Sequence, residues 1–156
     1  MLTQKKALTA EEQADIRNQL TAIINQSLAE AITYQVIVKT SLRDAPQKHE
    51  LSAALILAKH FKTDVTFLRP QIDKTPDIDI RGELWEIKSP VGKGKRTIDN
   101  NFAKARRQSR NIVVDLRRSK MHQSKANARI RFYLSTPHHF KKVLVITKAR
   151  KVLVIL

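Results

Sequence analysis

Residues 76–88, PDIDIRGELWEIK, constrain the fold more than any other stretch, because polar and apolar side chains alternate on both sides of a single glycine. Alternation with a period of two predicts strands, and the glycine predicts a tight turn between them. Successive side chains on a strand point to opposite faces. Asp77 and Asp79 therefore share one face of the first strand, and Glu86 and Lys88 share one face of the second. The stretch is expected to form a β-hairpin with an acidic face.

The register of this hairpin depends on which two residues form its turn. If the turn is the Arg-Gly pair, Asp77 lies directly opposite Glu86. If the turn lies one residue later, Asp79 lies opposite Glu86 and Asp77 lies opposite Lys88. Both registers bring at least two carboxylates and one ammonium group to one face, and the sequence leaves the choice between them open.

Paired carboxylates on this face require a neutralising partner. Side chains directly opposite each other have Cβ atoms ~4.5–5.5 Å apart, so two carboxylates repel unless a cation or a proton lies between them. Hard oxygen ligands suit Mg²⁺ or Mn²⁺. The face therefore predicts a divalent-metal site that acts on a phosphate, with Lys88 orienting a water or offsetting charge. The alternative is an edge hairpin whose polar face is solvated and whose lysine relieves the repulsion.

Charge is distributed unevenly along the chain. The 156 residues include 30 Lys and Arg and 14 Asp and Glu, for a formal net charge of +16. Residues 89–156 hold eighteen of the basic residues and two of the acidic ones, so this segment carries the whole excess. A basic surface interleaved with apolar strands predicts a polyanionic partner, and nucleic acid is the first candidate. A basic patch for an acidic partner protein is the alternative.

Several classes of protein are excluded by composition. The absence of cysteine rules out a disulfide scaffold and a cysteine-based zinc site. The first residues lack the apolar segment of a signal peptide, so none is expected. No apolar run reaches the ~18–20 residues of a membrane span.

Periodicity predicts the order of the secondary structure elements. Apolar residues at helical spacing continue as far as Val36, so residues 1–47 are expected to form an N-terminal helical segment. It begins with Thr9 and Glu12 as a capping box. Residues 48–156 are expected to form a second unit with the order α-β-β-β-α-β-α-β-β. That order predicts an α/β or α+β fold, with a mixed central sheet flanked by helices.

The hairpin and its surroundings resemble a known group of nucleases. Pro76-Asp77 followed by Glu86-Ile87-Lys88 fits the PD-(D/E)XK motif, and the order α-β-β-β-α-β over residues 48–116 is similar to the restriction-endonuclease-like core of that superfamily. The strings ELWEIKSP, TIDNNFAKARRQSRNIVVDLRRSK and KKVLVITKARKVLVIL look like the C-terminal tRNase toxin domain of contact-dependent growth inhibition (CDI) proteins. The resemblance covers residues 48–156 and extends to related nuclease domains on bacterial mobile elements.

This resemblance implies roles for individual residues. Asp77 and Glu86 match the metal-binding carboxylates, and Lys88 matches the motif lysine. Glu50 matches the acidic residue that many members carry on the first core helix, where it reaches the metal directly or through water.

Further residues extend the implied site. Gln108 matches a glutamine that many members place on the helix after the motif strand, whereas Asp79 is an extra acid that leaves the identity of the motif aspartate open. Basic residues of the following segment are expected to track the phosphates of a nucleic acid. They are Lys93, Lys95, Arg96, Lys104, Arg106, Arg107 and Arg110.

The resemblance also implies an activity and a setting. It implies a metal-dependent endonuclease that hydrolyses phosphodiester bonds in RNA, with tRNA as substrate and Mg²⁺ as cofactor, Mn²⁺ and Zn²⁺ being alternatives. It further implies a bacterial toxin domain acting in the target-cell cytoplasm, or a cytoplasmic protein if the domain stands alone. A toxin domain implies a cognate immunity protein with an acidic surface. The alternatives are a DNA endonuclease of the same superfamily and a non-catalytic nucleic-acid-binding protein.

Overall fold

The computed structural model describes residues 8–71 and 75–156, which form four α-helices and seven strands. The helices are α1 (Ala10–Thr33), α2 (Lys48–Phe61), α3 (Lys95–Ala105) and α4 (Gln123–Leu134), and Leu42–Asp44 forms a short 3-10 helix. The strands are β1 (Val36–Val38), β2 (Val65–Phe67), β3 (Ile78–Ile80), β4 (Glu83–Lys88), β5 (Asn111–Asp115), β6 (Lys142–Ile146) and β7 (Val152–Val154). No helix in the described ranges is long and apolar enough to cross a membrane.

The chain divides into two compact units, Met1–Thr33 and Tyr34–Leu156. In the first unit, α1 begins at the predicted capping box: the Thr9 amide donates to the Glu12 carboxylate at 2.7 Å, and the Glu12 amide donates to the Thr9 hydroxyl at 3.2 Å. Together these two bonds satisfy donors that have no partner inside the helix.

The second unit begins earlier than the predicted border after residue 47. The expectation that Val36 continues the helical pattern is wrong, because the helix ends at Thr33 and Val36 opens β1. Three consecutive β-branched residues, Val36, Ile37 and Val38, favour an extended backbone. They pair in parallel with β2, so this segment belongs to the sheet.

The strands form one mixed sheet in the order β1-β2-β3-β4-β5-β6-β7. β1 and β2 are parallel, as are β4, β5 and β6, and each parallel step is connected through one of the helices α2, α3 and α4. The steps β2–β3, β3–β4 and β6–β7 are antiparallel. The predicted element order after residue 48 and the mixed sheet flanked by helices are confirmed.

Helix α2 covers one face of the sheet. It buries Ala54 and Leu57 completely, in the same apolar cluster as Trp85 and Ile87 of β4. Its exposed face includes Leu55, which is 49% exposed. Since Trp85 and Ile87 point towards α2, the alternating side chains of β4 point to the opposite face.

Helices α3 and α4 cover that opposite face. Phe102 and Ile130 are fully buried there, in a cluster with Ile112 and Val114 of β5. Glu86 is the register partner of Ile112. The acid of β4 therefore lies on the face that α3 covers, which explains how a charged side chain comes to be buried in this sheet.

Candidate active site

A two-residue turn sets the register of the β3–β4 hairpin. Arg81 and Gly82 have φ angles of 56° and 79°, and two consecutive positive values are characteristic of the type I′ turn, whose twist suits a hairpin. Ile80 faces Glu83 across the turn. The first of the two predicted registers is therefore the one that forms.

This register separates the roles of the two aspartates. Asp77 lies just before β3, and its Oδ2 accepts a hydrogen bond from the Ile87 amide at 2.8 Å, which holds it beside Glu86. The Oδ1 of Asp79 accepts a hydrogen bond from the Gly82 amide at 2.7 Å and caps the turn. Asp77, rather than Asp79, is the aspartate that the fold brings to Glu86.

A lysine and a glutamine complete this cluster. The Lys88 ammonium forms an ion pair with Glu86 Oε1 and donates a hydrogen bond to Gln108 Oε1 at 3.0 Å. Glu86 is 1% exposed and Lys88 is 17% exposed, so the charged end of Lys88 lies nearer to the solvent. The resemblance implied that Gln108 lies on the helix after the motif strand. Helix α3 ends at Ala105, so Gln108 lies instead in the turn that follows it.

Burial changes the protonation of the two acids. It raises the pKa of Glu86 to about 7, and the nearby Asp77 carboxylate adds to this increase, while Lys88 opposes it. Burial also raises the pKa of Asp77, against the effects of the Ile87 amide and Lys88, and the charge of Glu50 raises it further. In the absence of a cation, the pair therefore tends to retain a proton near neutral pH.

The donor set of this pair fits a divalent cation. Glu86 Oε2 is buried and has no hydrogen-bond donor within the described part of the chain, and the Asp77 carboxylate lies beside it. Two carboxylates suit Mg²⁺, which completes its coordination with water and phosphate oxygens. The described residues contain no group of three or more His, Cys, Asp or Glu side chains able to hold a metal ion.

The third predicted metal ligand, Glu50, is engaged elsewhere. Its carboxylate accepts a hydrogen bond from the Gln47 amide at 2.7 Å and closes a capping box at the start of α2. It nevertheless lines the same 360 Å³ cavity as Asp77 and Gln108. The structure thus places Glu50 at the wall of the site and not in a three-acid cluster.

A half-buried arginine fixes this end of α2 to the sheet. Arg117 donates to both carboxylate oxygens of Asp115, with Nε–Oδ1 and Nη2–Oδ2 distances of 2.8 and 2.7 Å, and Asp115 is completely buried. The same guanidinium donates to the His49 carbonyl at 2.9 Å and to the Ser52 hydroxyl. Arg117 therefore anchors His49 and Ser52, which precede and follow Glu50 in the chain, to the end of β5.

Cationic side chains line two cavities that adjoin the cavity of Asp77 and Glu50. A 420 Å³ cavity that shares Pro76 and Gln108 with the acidic cavity is lined by the predicted residues Arg106, Arg107 and Arg110. A 550 Å³ cavity that also shares Pro76 is lined by Lys39 and Arg69.

Lys39 and Arg69 were not predicted from the sequence. Arg69 Nε donates to the Lys39 carbonyl at 2.7 Å, which ties the two segments together. Each precedes the basic half of the chain, and positive charge was the only sequence signal that either of them carried.

The seven predicted phosphate-tracking residues are distributed over two cavities and the exposed face of α3. Lys93 and Lys95 line a separate 580 Å³ cavity between the loop before α3 and helix α4. Arg96 and Lys104 are exposed on α3. Helix α3 ends at Ala105, so Arg107 and Arg110 lie after the helix and not on its surface.

The hairpin that carries the acidic pair lies within the match to a known protein family. Residues 74–152, half of the chain, match the family described as the contact-dependent growth inhibition CdiA C-terminal domain. The chain belongs to this family. The CdiA C-terminal domain match includes Asp77, Glu86, Lys88 and Gln108, whereas Glu50 lies outside it. Membership confirms the predicted connection to contact-dependent growth inhibition, and with it the role of a toxin domain.

A solved structure has a similar fold. A chain of the CdiA-CT/CdiI toxin and immunity complex from Burkholderia pseudomallei superimposes with a TM-score of 0.59 and is 24% identical. The similarity covers 78% of this CdiA C-terminal domain chain and 98% of that chain. A search among curated proteins finds no match.

Proposed function

We propose that this CdiA C-terminal domain is a metal-dependent endonuclease that hydrolyses phosphodiester bonds in RNA, with tRNA as its substrate. The observation that carries the proposal is the convergence of Asp77, Glu86 and Lys88 on one hairpin, beside a cleft lined by cations. This arrangement supports PD-(D/E)XK chemistry, in which two carboxylates and a lysine act on one phosphate. The preference for RNA rests on the resemblance to tRNase toxin domains.

Asp77 and Glu86 are the residues that would hold the metal. A divalent ion bound there supplies Lewis acidity towards a phosphate oxygen and a water of lowered pKa. The Ile87 amide fixes the Asp77 carboxylate at 2.8 Å, so this acid is oriented before any ligand arrives. Burial of Glu86 excludes bulk water from the same side, which strengthens electrostatic interactions within the site.

Lys88 is the cation that contacts the acidic pair. Its ammonium is held between Glu86 and Gln108, so its position is defined by two acceptors on different segments. From there it orients the attacking water or offsets the negative charge that develops on the phosphate. Gln108 is a positioning residue, because it acts through Lys88.

Cations in the cavities beside the acidic pair suit a polyanionic substrate. Arg106, Arg107 and Arg110 line one adjoining cavity, and Lys39 and Arg69 line another. Contacts of this kind bind phosphates without selecting bases, and they make affinity fall with salt. An RNA strand would therefore be held beside the acidic pair by several phosphate contacts.

The setting follows from the family and from the similar complex. A toxin domain needs protection in the cell that produces it, and the similar structure is described as a toxin and immunity complex. We infer a cognate immunity protein with an acidic surface, since residues 89–156 carry the positive charge. The domain would act in the cytoplasm of the target bacterium.

One observation favours a second candidate, a non-catalytic nucleic-acid-binding protein. No three-acid metal cluster occurs among the described residues, and Glu50 is used as a helix cap. In that case the hairpin is structural and the basic half binds nucleic acid. The two functions differ in whether the nucleic acid is cut.

The proposal is tested by incubating the full chain with total tRNA and with plasmid DNA, each with Mg²⁺ and with EDTA. We expect tRNA to be cut only with Mg²⁺, and Lys88→Ala to abolish most of the cutting. Cleavage of DNA alone would identify a DNA endonuclease. Cleavage that persists in EDTA would contradict the metal site, and salt-sensitive binding of uncut tRNA would favour the binding protein.

A further inference from the structure

We propose that the cavity between the loop before α3 and helix α4 is a second nucleic-acid site, which binds an unpaired nucleotide by stacking its base at Phe132. The proposal rests on the proposed function in one respect, that the partner of the basic half is RNA. It concerns binding outside the acidic cavity of Asp77 and Glu50, and its test does not depend on cleavage.

The composition of the cavity suits a nucleotide. Its volume of 580 Å³ lies within the range of ~300–1,000 Å³ that is usual for small-molecule sites. Its walls combine an apolar part, which includes Met121 and Phe132, with four cations. The cations are Lys93, Lys95, Lys125 and Arg129. A nucleotide presents the matching features, because it joins a flat, largely apolar base to an anionic phosphate.

Phe132 is arranged for stacking before any ligand arrives. Its side chain is 58% exposed on α4, and the Arg129 guanidinium carbon lies 4.7 Å from the centroid of its ring. Asp99 of α3 holds this guanidinium, with Arg129 Nε 2.8 Å from Asp99 Oδ1. Unpaired bases stack on aromatic rings and on guanidinium planes. The pair therefore offers both kinds of surface at a fixed position.

The lysines of the cavity are available for phosphate. Lys93, Lys95 and Lys125 are exposed, and none of them forms a salt bridge with an acid in the described part of the chain. Arg129, by contrast, is already neutralised by Asp99. The free positive charge of the cavity thus lies on flexible side chains around the aromatic ring, where the phosphates of a stacked nucleotide would be.

A short anchored loop connects this cavity to the strand that carries Glu86 and Lys88. Only residues 89–92 separate Lys88 from Lys93, so the two Cα atoms lie within about 18 Å of each other. The Lys120 amide donates to the Val91 carbonyl at 3.0 Å and fixes the loop to the segment after β5. One RNA molecule can therefore contact both sites at once.

An acidic protein surface is the competing occupant for a basic cavity with an aromatic ring. Stacking distinguishes the two, since only a base needs the π-face of Phe132, whereas a protein side chain needs mainly apolar area. Phe132→Leu keeps apolar area and removes the π-face. Phe132→Tyr keeps both.

The test measures binding by fluorescence anisotropy with the full chain carrying Glu86→Gln, so that the probe stays intact. The probes are a labelled single-stranded oligouridylate and an abasic oligomer with the same number of phosphates. We expect Phe132→Leu to weaken oligouridylate binding about five- to hundredfold and to leave binding of the abasic oligomer unchanged. Phe132→Tyr should bind both probes as tightly as the parent chain does. Lys125→Ala is expected to weaken both probes. Lys59→Ala, on α2 across the sheet, is the matched control and should weaken neither.

Three results would overturn the inference. In the first, Phe132→Leu leaves oligouridylate binding unchanged. In the second, Phe132→Leu weakens binding of the abasic oligomer as much as binding of the oligouridylate. In the third, Lys125→Ala would weaken binding of an acidic glutamate–tyrosine copolymer but not of RNA, which would assign the cavity to a protein partner. A chain that binds RNA through Phe132 but cuts nothing would contradict the proposed endonuclease and leave this site in place.

Discussion

The carboxylate of Asp77 accepts a hydrogen bond from the Ile87 amide at 2.8 Å, which ties the residue before β3 to the strand that carries the buried Glu86. The type I′ turn fixes the same relationship, because it sets the register of the two strands. The acidic pair is thus a consequence of local hairpin geometry, and it does not depend on a ligand to bring it together.

Replacement of Asp77 should lower the activity much more than replacement of Asp79. Asp77→Asn removes a charge beside Glu86, and we expect tRNA cleavage to fall by at least about 100-fold, since metal-assisted catalysis supplies several kcal/mol. Asp79→Asn keeps an oxygen acceptor for the Gly82 amide, so activity should stay within about threefold. Initial rates at saturating Mg²⁺ measure both. A loss of activity in Asp79→Asn as large as that in Asp77→Asn would contradict the assignment of Asp77 as the motif aspartate.

Gln108 should affect the rate more than substrate binding. Its Oε1 accepts the hydrogen bond that positions Lys88, and misplacement of a catalytic group costs up to about 100-fold. Gln108→Leu should therefore lower kcat and leave KM almost unchanged. Gln108→Glu keeps an acceptor oxygen and should retain more activity than the leucine variant. A change confined to KM would indicate that Gln108 binds substrate instead of positioning the lysine.

The Asp115–Arg117 pair should contribute much more to stability than an exposed pair. Asp115 is fully buried, and removing one partner of a buried ion pair costs about 3–5 kcal/mol. Asp115→Asn should lower the free energy of unfolding in urea by an amount in this range. Glu83→Gln, which breaks the exposed pair with Lys142, should cost no more than about 1 kcal/mol. Equal losses in the two variants would contradict the anchoring role of Arg117.

The stability of the metal-free protein should decrease as pH rises. The pKa of Glu86 increases from 4.5 in an unfolded chain to about 7 in the fold, so the folded state retains a proton that the unfolded state has lost. The free energy of unfolding therefore falls between pH 4.5 and about 7. Melting temperatures in EDTA at pH 5 and pH 8 measure this.

Two further melting curves separate this effect from other titrating groups. Glu86→Gln should show a smaller decrease from pH 5 to pH 8, because it lacks the ionising group. Mg²⁺ should stabilise the wild-type protein more at pH 8, where the carboxylates are ionised. A decrease of the same size in Glu86→Gln would show that other groups cause it.

Local patterns in the sequence predict the hairpin and helix α2. The alternation around Gly82 predicts both strands and limits the register to two choices, and the φ angles of Arg81 and Gly82 decide between them. The second unit is predicted to begin at residue 48 with a helix, and α2 begins at Lys48. Features that depend on neighbouring residues in the chain could thus be derived from the sequence alone.

Features that depend on distant segments could not be derived in this way. Val36 fits both a helical and an extended pattern, and its pairing with Val65 decides the outcome. The approach of Arg117 to the start of α2 joins residues far apart in the chain. The grouping of Lys39 with Arg69 depends likewise on the parallel pairing of β1 and β2, which brings the two segments side by side.

The most direct test of the proposed active site compares two isosteric changes on the same strand. Glu86→Gln removes the buried carboxylate of the acidic pair, and Glu83→Gln removes an exposed carboxylate of β4 outside it. The measurement is the initial rate of tRNA cleavage at saturating Mg²⁺. The proposed mechanism predicts a wild-type rate for Glu83→Gln and a rate at least about 100-fold lower for Glu86→Gln. Equal rates for the two variants would contradict it.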